Sequence, residues 1–122
     1  MLSKIRFAAF AAAAVSVATL AAPARADGFV NVLTGGTSGV YYPLGVALTQ
    51  IYGAGIPGVK TQVQATKASV ENLNLLQQGR GEIAFALGDS VRDAWEGNAE
   101  VGFKAKLDKL RGVAAVYPNY IQ

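Results

Sequence analysis

Val30-Asn31-Val32-Leu33-Thr34-Gly35-Gly36-Thr37-Ser38-Gly39-Val40-Tyr41-Tyr42-Pro43-Leu44-Gly45 is the stretch whose reading decides the fold. An apolar run ends in Gly-Gly-Thr-Ser-Gly, and a helical pattern begins at once. That order predicts a strand, a tight turn of small residues and a helix N-terminus. The first turn of a helix leaves backbone N–H groups without intrahelical partners, and the aligned peptide dipoles add partial positive charge there. Glycines let the backbone approach a ligand closely, and the hydroxyls of Thr37 and Ser38 add donors. The stretch therefore reads as a cradle for a carboxylate or phosphate. A capped strand-to-helix turn with no ligand fits the same local pattern.

Further along the chain, the helix after the turn places Val40, Leu44, Ala47, Leu48 and Ile51 on one apolar face, with Pro43 confined to its first turn. Gly53, Gly55 and Pro57-Gly58 end it. Residues 59–66 alternate, with Val59, Thr61, Val63 and Ala65 on one side and Lys60, Gln62 and Gln64 on the other. That pattern predicts a strand near a sheet edge with one wet face. Ser69 is placed to cap a second helix, with Glu71 in its first turn, Val70, Leu73 and Leu76 as its apolar face, and Gly79 as its stop. Residues 83–87 are a continuous apolar run, a third strand. Gly88-Asp89-Ser90 follows, then a short helix over 91–96 carrying Trp95 and ended by Gly97. Residues 98–109 are polar, anchored by Val101, Phe103 and Leu107, and 110–117 predict a fourth strand stopped by Pro118.

The order β-α-β-α-β-α-β predicts an α/β fold with a mostly parallel sheet. Ligands of such sheets sit beyond the carboxyl ends of the strands. Three polar clusters fall at such ends: 34–39, Thr66-Lys67-Ala68-Ser69, and Gly88-Asp89-Ser90.

Upstream of the decisive stretch, residues 1–26 have the layout of a secretory signal peptide. Lys4 and Arg6 make a basic start, 7–22 an apolar alanine-rich run, and Ala24-Arg25-Ala26 a cleavage site. Cleavage there leaves a domain of residues 27–122. Three of the 11 basic residues lie before the cut, so eight basic face eight acidic residues after it. The basic balance is thus a targeting feature and no argument for a nucleic-acid partner. The chain has no Cys and no His. Disulfides, thiol chemistry, the usual zinc ligands and a histidine general base are all excluded. The Gly-rich turn lacks the Gly-Lys-Ser/Thr of a phosphate loop and the Gly-x-Gly-x-x-Gly of a dinucleotide site. A binding role with neutral donors follows, with no catalytic residue, metal or cofactor. Two other readings stay open at this point: an acid–base hydrolase using Asp89, and a small secreted interaction protein.

Residues 34–45 resemble the opening motif of TAXI-family solute-binding receptors, which serve TRAP (tripartite ATP-independent periplasmic) transporters. Thr66 and Ser69 with Glu71, Asn72 and Leu73 resemble the family's T-x-x-S-x-E-N-L segment. Gly81-Glu82-Ile83-Ala84-Phe85 with Asp89 resembles a third motif, and Leu110-Arg111 with Val116-Tyr117-Pro118 and Gln122 a fourth. The resemblance implies a type II periplasmic binding protein-like fold, in which two α/β lobes close on a small organic anion such as glutamate or another carboxylate. The bound solute is handed to the membrane permease subunits. It places Thr37, Ser38, Gly39 and Tyr42 at the anion cradle of the first lobe, with Ser69, Asn72 and Asp89 beside them. Two lobes of ordinary size need roughly 100–150 residues each, so residues 27–122 are expected to be an incomplete first lobe and the chain a fragment.

Overall fold

The computed structural model describes residues 28–120. The signal-peptide reading of residues 1–26 and Gln122 of the fourth motif lie outside the described residues. The elements run β1 (Phe29–Leu33), α1 (Tyr41–Gly55), β2 (Lys60–Gln64), α2 (Ser69–Gln77), β3 (Ile83–Ala84) and α3 (Gly88–Glu96), followed by a 3₁₀ turn at Ala99–Val101. The fold is α/β, with a three-stranded parallel sheet in the order β2-β1-β3. This architecture is compatible with a lobe of the periplasmic binding protein kind. The central strand is the apolar one, and Val32, Leu33 and Thr34 are fully buried. The alternating strand β2 lies at an edge, as its one wet face requires.

Helix α1 meets the sheet on a different face from the expected one. Its only buried residue is Gly45, where an added Cβ would collide with the Thr34 methyl group and reach 3.1 Å from Val63 Cγ2. Glycine lets the helix backbone lie directly on β1 and β2. The apolar row Leu44, Ala47, Leu48 and Ile51 instead walls an open groove of about 230 Å³ with Phe85 and Val116, and Ile51 is 62% exposed.

The main apolar core lies between α2, α3 and the chain that follows them. It comprises Leu73, Ala94, Phe103, Leu107 and Leu110, flanked by Val70, Leu76 and Ala86. Phe103 and Leu107, two of the three expected anchors of the polar stretch, are thus core residues, whereas Val101 is exposed. Trp95 is not a core residue either, at 55% exposed. Helix α2 stops as expected: Gly79 takes φ +70°, and Gly79 and Arg80 N–H groups bond back to Leu76 and Leu75 carbonyls. Helix α3 likewise ends at Gly97 with φ +74°.

Two expected strands are corrected. The third keeps ladder pairing only over Ile83–Ala84, flanked by bonds from Glu82 N–H to Asn31 O and from Phe85 N–H to Leu33 O. The fourth does not form. Leu110 is drawn into the core, and residues 111–120 are exposed and carry no strand. A strand requires a hydrogen-bonded neighbour as well as an apolar run, and β3 offers 110–117 none.

Candidate functional site

The carboxyl ends of the three strands converge. Beyond them lies a pocket of about 290 Å³ lined by Gly35, Gly36, Gly39, Val40, Tyr41, Ala68, Ser69, Leu87, Tyr117 and Asn119. Each wall follows from local structure. Gly35 and Gly36 leave the end of β1, and Gly39 N–H closes the turn on Gly36 O at 2.9 Å. Ala68 and Ser69 belong to the start of α2, and Leu87 precedes α3. Among the described residues, no Lys, Arg, Asp or Glu lines the pocket. The polar surface is backbone amide, hydroxyl and one side-chain amide.

Of the residues singled out from the sequence, Gly39 and Ser69 are on the pocket wall. Thr37 and Ser38 form the exposed turn at its edge. Tyr42 is half-buried in the first turn of α1 and is not on the wall. Asp89 is exposed in the first turn of α3, its Oδ1 accepting the Ser90 N–H at 2.6 Å. Asn72 is fully buried beneath the pocket. Its Nδ2 donates to Thr34 O at 2.6 Å and to Phe85 O at 2.8 Å, and its Oδ1 accepts from Thr66 Oγ1 at 2.6 Å.

Ser69 does not cap α2. The helix already includes it; the capping position is Ala68, with φ +73° and no side-chain bond. Ser69 Oγ accepts the Leu87 N–H at 3.0 Å instead, tying α2 to the entry of α3. Glu71 takes over part of the cap, its carboxylate accepting the Lys67 N–H at 2.7 Å.

The sequence puts both Tyr41 and Tyr42 in the first turn of α1, at the mouth of the site, and the resemblance names Tyr42. Tyr41 is the pocket residue; its ring stacks on Phe85 with centroids 5.3 Å apart and meets Tyr117 at 6.4 Å. Burial, and secondarily the neighbouring Tyr117, raise the Tyr41 phenol above its ordinary pKa, against a lowering hydrogen bond from Ser69. Tyr41 therefore stays a hydroxyl donor at every physiological pH. The spacing to Gly45, four residues on, held the clue: the two share the helix face that meets the sheet. Tyr117 and Asn119 carry no site signal in the sequence: Tyr117 ends the expected fourth strand and Asn119 follows the Pro118 that stops it.

A parallel sheet with an open pocket at its strand ends, walled by backbone amides and hydroxyls, defines a ligand-binding α/β lobe. Its sequence places it more closely. The chain belongs to the NMT1-like family, whose sequence model matches residues 32–122. This is a periplasmic binding protein-like family, so the chain is of the solute-binding kind, with a small-molecule ligand and an extracytoplasmic setting. Among the described residues, no helix is long and apolar enough to cross a membrane, and no group of three or more acidic side chains could hold a metal ion.

Proposed function

We propose that this chain is the solute-binding component of a TAXI-type TRAP transporter, exported to the periplasm by residues 1–26. It captures a small organic anion, a carboxylate or an amino acid such as glutamate, and presents it to the membrane permease subunits. Residues 27–122 supply one lobe, and a second lobe supplies the opposite wall of the cleft. The observation that carries the reading is the pocket itself. Gly35, Gly36 and Gly39 line it at the N-terminal end of α1, and Ser69 lines it at the start of α2. Two converging helix starts favour negative charge without a fixed cation. In this reading Gly39 and Ser69 bind the anion directly, with Tyr41 alongside. Thr37, Ser38, Tyr42 and Asp89 reach it from the rim when the cleft closes. No observation favours the acid–base alternative, since the Asp89 carboxylate is exposed and engaged with Ser90.

Thermal unfolding of the full chain against a panel of organic anions and their neutral amide counterparts tests this. A ligand that binds only the folded state raises the unfolding temperature. At least one carboxylate is expected to do so where its amide does not. Equal behaviour of every acid and its amide would overturn the reading.

A further inference from the structure

We propose that Asn72 is a positioning residue, holding the pocket in shape from below without touching the solute. The inference rests on the solute-binding reading. Asn72 has no exposed surface, and its amide is fully engaged with the protein. Its three partners stand at the carboxyl ends of the three strands: Thr34 after β1, Thr66 after β2 and Phe85 after β3. One or two residues beyond each partner, the chain reaches the pocket wall, at Gly35, Ala68 and Leu87.

The tie is extended by two further bonds. Thr66 Oγ1, itself bonded to Asn72, accepts the Ala68 N–H at 3.0 Å. Ser69, on the same helix, holds the Leu87 N–H. All three rim segments therefore hang from the first turn of α2.

The chemistry calls for an amide. Two acceptors, the Thr34 and Phe85 carbonyls, need two N–H donors, and the Thr66 hydroxyl needs one acceptor. Aspartate supplies no donors and sets a charge against two carbonyl oxygens. An aliphatic side chain leaves the Phe85 carbonyl without the Asn72 donor, and leaves the Thr66 hydroxyl only the Thr34 carbonyl to donate to, 2.8 Å away. Holding the fold together is the task of Leu73 beside it, which sits in the main core.

Amide hydrogen exchange and L-glutamate titration, both followed by NMR on the full chain, test the proposal with Asn72→Asp, Thr66→Val and Thr66→Ser. Asn72→Asp and Thr66→Val are expected to speed exchange at Ala68 and Leu87 by about tenfold or more, the effect of one lost hydrogen bond. The far end of the sheet should hardly respond. There, the Lys60 N–H bonded to Gly28 O and the Glu82 N–H bonded to Asn31 O should change by less than about threefold. Thr66→Ser keeps the hydroxyl and should behave as the parent. Should Asn72→Asp fail to fold, the two Thr66 variants decide by the same pattern. Uniform acceleration at all four amides would reduce Asn72 to a general stabiliser, and unchanged Ala68 and Leu87 amides would remove the tie; either overturns the proposal. Glutamate affinity should fall about tenfold or more in the loosened variants. A parent that ignores glutamate counts against the solute reading for that probe, while the exchange pattern still decides the role of Asn72.

Discussion

Replacing Gly45 by alanine would place one methyl group between α1 and the sheet. Two effects oppose each other. Alanine is the better helix former by about 1 kcal/mol. The new Cβ, however, would overlap the Thr34 methyl group and press on Val63 Cγ2 at 3.1 Å. Thr34 cannot easily turn away, because its Oγ1 donates to Gln64 O at 2.8 Å inside a fully buried site. Overpacking of this kind costs about 1–3 kcal/mol, and rotating Thr34 would add about 1 kcal/mol for the lost bond. The clash wins, and the net change is a destabilisation of about 1–3 kcal/mol. Urea unfolding followed by Trp95 fluorescence would read it. For an m-value of about 1 kcal/mol/M, the midpoint should fall by about 1 M or more at constant slope. Thr34→Ser removes the methyl and keeps the hydroxyl, so it should recover at least half of the loss when combined with Gly45→Ala. A midpoint equal to or above the parent's, or no recovery in the double variant, would refute the close approach of α1 to β1.

Phe103→Ala, at the fully buried centre of the main core, should cost about 3–5 kcal/mol. That is a large share of a small domain's stability, and circular dichroism should show much of the chain unfolded at 25 °C. Tyr41, whose pKa is raised by burial, should give stability a downward slope at alkaline pH. Both states are protonated below the ordinary phenol value of about 10, and the unfolded state loses its proton first as pH rises. Stability is thus full below that value and declines up to the folded pKa. Unfolding midpoints of Tyr41→Phe should fall less steeply over that window than the parent's. In the solute-loaded receptor, Ser38→Ala and Tyr42→Ala should each weaken binding by about 1.5–3 kcal/mol, one to two decades in Kd. Unchanged calorimetric affinity in both would remove them from the site.

Much of the fold could be read before the structure. The Gly-rich turn separates β1 from α1 where expected, β2 alternates as an edge strand, and Gly79 and Gly97 close their helices in the left-handed conformation. These features are local, set by steric limits and by periodicity. The misses over 44–51 and over 110–117 are tertiary. Apolar spacing put Leu44, Ala47, Leu48 and Ile51 against the sheet, yet the helix docks through Gly45, a residue that carries no apolar signal and acts by being small. Residues 110–117 have the composition of a strand, but pairing depends on a neighbour that composition does not reveal.

The site divided in the same way. Helix starts and polar clusters at strand ends are written in the sequence, which pointed to Gly39 and Ser69 on the pocket wall. Which of two adjacent tyrosines faces inward depends on the rotation of α1, and that rotation is set by Gly45. The resemblance sets Ser69 and Asn72 side by side at the site. One is on the wall and the other beneath it, because α2 begins one residue earlier than its capping signal suggested.

Chemical-shift mapping of the full chain against L-glutamate and a set of other small carboxylates tests the central claim most directly. The account predicts saturable shifts for at least one of them, concentrated at the Gly35, Gly36, Gly39, Ser69 and Leu87 amides. Carboxylate-dependent shifts confined to residues away from the strand ends, or shifts that the neutral amide counterparts reproduce equally, would contradict it.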